Sequence, residues 1–374
     1  MKISTFLINR YFSHWEHRDP RFLCTADIEP YQLGEILALA DEECQSLWQH
    51  LLLGYNATQG HPLLRAEIAS LYKGVQPEEI LVFAGGEEAI FVLLNVLLQP
   101  GDHAIVVSPA YQSLYEVSRA AQADVTFLPL LAAANWTLDL EALRAAVRLN
   151  TRVIVANFPN APTGALPDYD TFLSVSRIAQ EAGAYLFCDE SFRFLEYNQS
   201  DRLPAAVECY TKGLSLGSMS KAFGLAGLRI GWLVTHEQDL LQQMLSFKDY
   251  TSVSSSATSE ILALIGLRAR EAVLKRSLEI IAHNLLSLDD FFSTWSDVFS
   301  WVRPRAGSTA FPLLCKDIAI EQFASELVEQ EGVLVLPGTV YEHPGNHFRI
   351  GFGRTDLPDA LVRLERFTAN RFRL

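Results

Sequence analysis

Residues 218–229 read SMSKAFGLAGLR, a stretch that decides the fold because it surrounds one lysine with groups that bind anions. Ser218 and Ser220 lie on either side of Met219, directly before Lys221, and Arg229 follows farther along. A lysine amine condenses with an aldehyde near neutral pH when desolvation or a nearby cation lowers its pKa. The two hydroxyls and the guanidinium would supply the donors for a dianion such as a phosphate.

The residues that follow favour an interior position for this lysine. Leu228–Val234 reads LRIGWLV, an apolar run that is typical of a buried strand. A surface loop with a solvated lysine is the alternative, since most lysines are exposed. We therefore expect the strand to carry Lys221 into the protein.

Composition limits the possible functions. The chain has 374 residues, 49% of them hydrophobic, so it can bury a large core and a smaller one. Its net charge of −14 argues against a nucleic-acid surface, and no apolar run reaches the roughly 20 residues that span a bilayer. The five cysteines have no metal-binding or CxxC spacing. These features predict a reduced, cytoplasmic protein without metal, nucleic-acid or membrane partners.

The chain alternates strand-like and helix-like segments between residues 60 and 235. Short apolar runs predict strands at 80–83, 104–107, 125–128, 153–156, 185–188 and 228–234. Amphipathic stretches predict helices near 87–98, 112–121, 139–148 and 168–182, and a long helical region follows over 236–292. This alternation predicts an α/β fold with a mostly parallel sheet covered on both faces. Apolar runs at 309–314, 333–336 and 347–352, with a helix near 320–330, predict a smaller α+β domain.

A glycine pair follows the first predicted strand. Gly85 and Gly86 precede Glu87, where a helix is expected to begin. Two glycines allow the backbone to approach a phosphate, and the first N–H groups of a helix bind one. We expect Glu87 to act through its backbone, because its carboxylate would repel a dianion.

Together with this order of segments, the lysine stretch resembles class I and II aminotransferases, the pyridoxal-phosphate enzymes of the aspartate-aminotransferase-like superfamily (fold type I). The resemblance extends from Tyr55 to Arg349. It implies a seven-stranded-type sheet in a large domain at residues 40–280, with residues 1–39 and 281–374 forming a discontinuous small domain. It also implies that Lys221 forms a Schiff base with pyridoxal 5'-phosphate, whose phosphate contacts Gly86, Glu87, Ser218, Ser220 and Arg229.

Two further residues match positions around the cofactor ring. Tyr111 follows the second predicted strand and could stack on a pyridine ring, or could be an ordinary buried tyrosine. Asp189 closes the strand at 185–188, and a carboxylate buried there needs a partner such as a protonated ring nitrogen. Glu190 is the rival carboxylate, but strand alternation directs it to the opposite side of the sheet.

The sequence departs from the family at two positions. The family usually has asparagine directly before Pro-Thr-Gly, where this chain has Ala161, so Asn160 is the remaining candidate to contact the cofactor. Phe192 stands where the family usually has a tyrosine. The asparagine and the tyrosine both contact the 3-oxygen of the cofactor. Their loss predicts a raised pKa for the Schiff-base nitrogen.

The first and last residues of the matched stretch are expected to contact the partner subunit and the substrate, respectively. Tyr55 matches a tyrosine that reaches the phosphate in a neighbouring subunit, which implies a homodimer with active sites at the interface. Arg349 lies in the apolar run HFRIGFG, where a guanidinium needs an anion. The family uses this arginine for the α-carboxylate of the amino acid, although a salt bridge to one of the 44 acidic residues is an alternative.

The resulting hypothesis is amino-group transfer from an amino acid to a 2-oxo acid, with Lys221 and Asp189 as the catalytic residues. A lyase, or a cyclase like capreomycidine synthase, is the main alternative, because the scaffold supports several reactions. Residues 248–260 and 27–30 resemble such cyclases loosely. A non-enzymatic binding or regulatory module is disfavoured by the intact lysine, aspartate and arginines.

Overall fold

The structure is a computed structural model that describes residues 2–373, so the outermost residues of the predicted small domain, Met1 and Leu374, lie outside it. The α-helices of the described residues are α1 (Leu7–Trp15), α2 (Leu33–Leu37), α3 (Glu42–Gln49), α4 (Pro62–Ala69), α5 (Gly86–Leu97), α6 (Ser113–Ala120), α7 (Leu140–Ala146), α8 (Tyr169–Glu181), α9 (Ala206–Cys209), α10 (Gln238–Lys248), α11 (Ala257–Arg268), α12 (Arg270–Thr294), α13 (Ile320–Glu331) and α14 (Leu357–Phe372). The strands are β1 (Arg21–Phe22), β2 (Ile80–Phe83), β3 (His103–Ser108), β4 (Asp124–Pro129), β5 (Thr151–Asn157), β6 (Tyr185–Asp189), β7 (Gly213–Ser218), β8 (Gly231–Val234), β9 (Phe299–Ser300), β10 (Thr309–Ala310), β11 (Leu313–Leu314), β12 (Val333–Leu334), β13 (Leu336–Pro337) and β14 (Phe348–Gly351).

A seven-stranded sheet forms the centre of the molecule, with the strand order β2-β8-β7-β6-β5-β3-β4. The pairs from β7 to β4 are parallel, whereas β8 runs antiparallel to both of its neighbours, β2 and β7. The predicted α/β fold with a mostly parallel seven-stranded sheet is therefore confirmed. Because parallel strands end at the same edge, this topology gathers the residues that follow β5, β6 and β7.

Both faces of the sheet are buried, as the nearly continuous apolar strands predict. In β6, Tyr185 and Phe187 pack on one face with helices α5, α6 and α10, while Leu186 and Cys188 pack on the other with α8. Helix α8 begins where the carboxylate of Asp168 accepts a hydrogen bond from Thr171 N at 2.7 Å, which caps its first turn. Alternation along β6 thus assigns Asp189 and Glu190 to opposite faces.

Two parts of the sheet differ from the sequence prediction. Strand β7 was not predicted, because GLSLGS has too few apolar residues to resemble the other buried strands. The predicted strand 228–234 begins only at Gly231, since residues 226–228 form a 3-10 turn and Arg229 has a left-handed backbone with φ 52°. The Arg229 guanidinium lies next to Gly85, directly before α5.

The C-terminal strands pair with the beginning of the chain. Arg21 and Phe22 pair in parallel with Val333 and Leu334, and β14 lies between β10 and β13. This pairing accords with a discontinuous small domain, whose boundaries stay a prediction. No helix within residues 2–373 is long and apolar enough to cross a membrane, and the same residues contain no His, Cys, Asp and Glu group suited to a metal.

Candidate active site

A cavity of about 220 Å³ opens at the carboxyl ends of β5, β6 and β7. Most of the residues predicted from the sequence line it together: Gly86, Glu87, Tyr111, Asp189, Ser218, Ser220, Lys221, Arg229 and Arg349. Asn160 and Tyr55 are the predicted residues that do not. The arrangement follows from the topology, since ligands bind outside the carboxyl ends of parallel strands.

Lys221 lies in the turn that follows β7. The turn is fixed by backbone hydrogen bonds from Met219 N to Ile230 O at 3.0 Å and from Gly224 N to Lys221 O at 3.1 Å. Burial, followed by the positive charge of Arg349, lowers the pKa of Lys221 to about 8, against the opposing effect of Asp27 and Asp189. About one tenth of this amine is therefore neutral at pH 7, and nucleophilic attack on an aldehyde requires the neutral form.

The amino end of α5 forms a cradle that fits a phosphate. Gly85 has φ 94°, and a Cβ atom built on it would lie 2.4 Å from Nη2 of Arg229. A Cβ atom on Gly231 would lie 2.5 Å from Gly86 N. Only glycine at these positions lets the guanidinium and the first N–H groups of α5 come this close to each other, with Ser218 beside them.

The Glu87 side chain is oriented away from this cradle. Its carboxylate accepts a hydrogen bond from the hydroxyl of Ser113, at the start of α6. This leaves the backbone of Glu87 in the first turn of α5, as the sequence prediction requires. Tyr111 lines the neighbouring wall, where its ring packs against Phe6 with the centroids 5.4 Å apart.

Asp189 is the buried carboxylate of the cavity, with an exposure of 7%. Its Oδ1 atom accepts hydrogen bonds from Ser191 N at 3.0 Å and from Ser191 Oγ at 2.6 Å. Burial raises the pKa of Asp189, and the Ser191 hydrogen bonds oppose the rise. These contacts orient the carboxylate and engage only one of its oxygens, so the other can meet a cation such as a protonated ring nitrogen.

Glu190 lies on the other side of the sheet, as strand alternation predicts. Its Oε1 atom accepts hydrogen bonds from Ala206 N at 2.8 Å and from Ser215 Oγ at 2.7 Å. Burial raises the pKa of Glu190 to about 7. Glu190 therefore does not compete with Asp189 for a ligand in the cavity.

Asn160 does not face the cavity, contrary to the expectation from the sequence. Its amide donates to Pro109 O at 3.2 Å, and its carbonyl oxygen accepts from Thr163 Oγ1 at 2.7 Å, which holds the turn that follows. The asparagine that lines the cavity is Asn157, whose amide donates to Asp189 O at 2.8 Å. Its carbonyl oxygen accepts from Ala161 N at 2.7 Å.

Ala161 and Phe192 both line the cavity, and neither side chain can donate a hydrogen bond. The Phe192 ring is buried, and its centroid lies 6.0 Å from Nζ of Lys221. The wall beside the lysine is consequently apolar at both positions where the sequence departs from the family pattern.

Arg349 enters the cavity from the small sheet, on strand β14. Its exposure is 6%, and its side chain donates to Cys24 O at 2.7 Å through Nε and to the Tyr341 hydroxyl at 2.5 Å through Nη1. Both partners are uncharged. A buried guanidinium held by neutral groups still needs an anion, so this position fits a carboxylate of the substrate better than a structural salt bridge.

Several cavity residues were missed by the sequence prediction. Tyr341, Ser191 and Ala26 belong to no recognisable pattern in the sequence, and Asn157 was also missed. Tyr341 reaches Arg349 from a 3-10 turn at Gly338–Tyr341, so only the tertiary structure brings the two together. Strand periodicity could have indicated Asn157, because it lies at the end of β5 beside the end of β6.

The family model for "Aminotransferase class I and II" matches residues 30–363. The chain belongs to this family. The prediction of a class I/II aminotransferase is thereby confirmed, and the family implies pyridoxal phosphate as the cofactor.

Three known proteins illustrate the similarity. Capreomycidine synthase from Streptomyces vinaceus is 30% identical over 332 residues, which cover 88% of this chain and 84% of the synthase. A PLP-dependent aminotransferase from Streptococcus suis has a solved structure with a TM-score of 0.93 and 30% identity, covering 99% of both chains. The PLP-dependent cyclase OrfR has a TM-score of 0.90 and 26% identity, covering 99% of this chain and 98% of the cyclase.

Proposed function

We propose that this aminotransferase uses Lys221 to bind pyridoxal 5'-phosphate and to move the α-proton of an amino acid substrate. The observation that supports this most directly is the meeting of four groups in one cavity. These groups are a lysine with a lowered pKa, a buried aspartate, a glycine cradle with an arginine, and a second, buried arginine.

Each group has a distinct role. The first turn of α5, Ser218, Ser220 and Arg229 would hold the phosphate, Tyr111 would lie against the ring, and Asp189 would face the ring nitrogen. When bound, pyridoxal phosphate supplies an aldehyde for the lysine and an electron-withdrawing ring that stabilises negative charge on the substrate α-carbon. Asp189 keeps the nitrogen protonated, which maintains that electron-withdrawing character.

The substrates are an amino acid and a 2-oxo acid. Arg349 binds the α-carboxylate with its guanidinium fork, while Nζ of Lys221 takes the proton from the α-carbon. The side-chain hydroxyl of Tyr341 and the backbone carbonyl of Cys24 hold Arg349 in place. Residues 249–255 contain no arginine that could bind a second, distal carboxylate, which disfavours aspartate and glutamate as donors.

The active form is a homodimer in which Tyr55 contacts the phosphate bound by the partner subunit. Tyr55 is 92% exposed, and the neighbouring Leu52 and Leu53 are 83% and 85% exposed. Tyr250 is also 92% exposed. Exposed large apolar side chains of this kind are typical of a protein interface, and they support a contact with a second copy.

Borohydride reduction of the cofactor-loaded protein, followed by peptide mass spectrometry, tests the central assignment. We expect a pyridoxyl adduct on Lys221, and we expect Lys221→Ala to abolish both the adduct and amino-group transfer. An adduct on another lysine, or transamination that survives in the variant, would contradict the proposal.

Intramolecular cyclisation or elimination is a second candidate, because the relatives include a capreomycidine synthase and a PLP-dependent cyclase. The same cavity could serve these reactions, since the fold does not choose the substrate. An amino acid panel assayed with 2-oxoglutarate or pyruvate separates the candidates. Transfer consumes the oxo acid in step with the amino acid, whereas cyclisation leaves it unchanged and elimination releases ammonia and a new 2-oxo acid without consuming the acceptor.

A further inference from the structure

Two fully buried charged residues outside the cavity contact the loop that carries Tyr55. Lys248 ends α10 and Glu260 lies in the first turn of α11, and both side chains have an exposure of 0%. Burying an ion costs several kcal/mol unless its surroundings compensate for lost water. The compensation comes from hydrogen bonds that both side chains make to one neighbouring loop.

Both side chains form hydrogen bonds with residues 54–61, which we call the Tyr55 loop. The ammonium of Lys248 donates to Thr58 O at 2.5 Å. The Oε2 atom of Glu260 accepts from Asn56 Nδ2 at 2.7 Å and from His61 N at 3.2 Å. Its other oxygen is buried and has no hydrogen-bond partner among residues 2–373, so the carboxylate is tolerated there mainly through these contacts.

The end of the loop is also attached to the edge of the central sheet. Gln59 O accepts a hydrogen bond from Val82 N in the edge strand β2 at 3.0 Å. The Gln59 side chain donates to Glu78 O and Ile80 O, both at 3.0 Å. The loop is thus held at Asn56, Thr58, Gln59 and His61, whereas Tyr55, near its start, is exposed to solvent.

Lys248 holds a second exposed segment through its backbone. Its carbonyl oxygen accepts from Thr251 N at 3.0 Å and from Val253 N at 3.1 Å. Val253 has φ 62°, a strained conformation for a β-branched residue. The Thr251 hydroxyl donates to the carboxylate of Glu88, in the first turn of α5, at 2.5 Å.

We infer that Lys248 and Glu260 are positioning residues that hold the Tyr55 loop in the form that reaches the phosphate bound by the partner subunit. This rests on the proposed function, because it requires the cofactor and the homodimer. Lys248 and Glu260 touch neither cofactor nor substrate, and they act only through Tyr55.

A double-mutant cycle on the intact holoenzyme tests the inference, with the dissociation constant of pyridoxal 5'-phosphate as the readout. Tyr55→Phe removes one hydrogen bond to a charged group and should weaken binding roughly 10- to 100-fold. Lys248→Met should weaken it to a similar extent, and the double variant should stay within about threefold of the weaker single variant. The cycle is repeated with Asn56→Ala, which removes only the hydrogen bond between Asn56 and Glu260. If Lys248→Met fails to fold, this second cycle decides the test.

Asn150→Ala is the matched control. Its amide likewise donates to a backbone carbonyl, Gly101 O at 2.8 Å, but just before the amino ends of β5 and β3, whereas the cavity lies at the carboxyl ends of the strands. It should leave cofactor affinity unchanged, with sedimentation confirming a dimer for every variant.

The possible results distinguish a failure of the inference from a failure of the proposed function. A wild-type protein that is monomeric, or that binds no pyridoxal phosphate, refutes the proposed function. If the dimeric wild type binds the cofactor, the inference is overturned by additive losses in the cycle, or by a Tyr55→Phe variant with unchanged affinity. A purely structural role would lower the melting temperature of Lys248→Met or Asn56→Ala without coupling to Tyr55.

Discussion

The lowered pKa of Lys221 makes its reaction with an aldehyde depend on pH over a defined range. Burial is the main cause, followed by the guanidinium of Arg349, and together they bring the pKa to about 8. At pH 7 about one tenth of this amine is therefore neutral, compared with about one in 2,500 for a solvated lysine of pKa near 10.4. Since only the neutral amine reacts, the rate should rise about tenfold per pH unit at low pH and level off above about pH 8.

Substitution of the charged neighbours should shift this midpoint in opposite directions. Arg349→Met removes a positive charge that disfavours the ammonium, so the pKa of Lys221 should rise and the rate should level off at higher pH. Asp189→Asn removes a negative charge that favours the ammonium, so the midpoint should fall. Opposite shifts cannot come from a general loosening of the cavity.

The assay follows capture of pyridoxal 5'-phosphate by protein freed of cofactor. Aliquots from about pH 6.5 to about pH 10.5 are quenched with borohydride, and the adduct on the peptide that contains Lys221 is measured by mass spectrometry. The phosphate is almost fully a dianion above its second pKa of about 6, so its own charge changes little over most of this range. Free lysine with a blocked α-amine, whose side chain has a pKa of about 10.4, gives the reference curve. The reasoning is refuted if the Lys221 curve rises in parallel with this reference, or if neither substitution shifts it.

Three further predictions concern the rest of the cavity. Arg349→Lys loses the guanidinium fork, and steady-state kinetics should show kcat/KM falling about 100-fold, mainly through KM, as two charge-assisted hydrogen bonds are weakened. Phe192→Tyr introduces a donor, so an absorbance titration of the cofactor-loaded protein should give a lower pKa for the Lys221 nitrogen than in the wild type. Gly85→Ala places a Cβ atom where the Arg229 guanidinium lies, and equilibrium dialysis should show cofactor affinity reduced at least about 10-fold.

The residues that follow parallel strands were predictable because the topology itself collects them. Once the alternation of strands and helices is recognised, Asp189 must lie at the carboxyl edge of the parallel sheet, where ligands bind. The separation of Asp189 from Glu190 follows from the period of two along a strand. These predictions needed no knowledge of side-chain contacts.

Other features depended on contacts that sequence patterns do not contain. Asn160 was expected in the cavity on proximity alone, but its side chain closes its own turn by bonding to Thr163. Tyr341 acts through a hydrogen bond to Arg349, and Lys248 through a bond to Thr58, far away in the chain. Neither bond leaves a periodic or compositional signal, so only the fold reveals them.

The apolar wall of the cavity makes the pKa of the Lys221 nitrogen more sensitive to the charged residues nearby. The side chains of Ala161 and Phe192 offer no donor, and the carbonyl oxygen of Asn157 accepts from Ala161 N while its amide donates to Asp189 O. The proton on the lysine nitrogen then responds mainly to burial and to nearby charges, with no hydrogen bond from this wall to compensate. Charge substitutions at Asp189 and Arg349 should therefore move its titration further than they would in a relative that keeps a donor at either position.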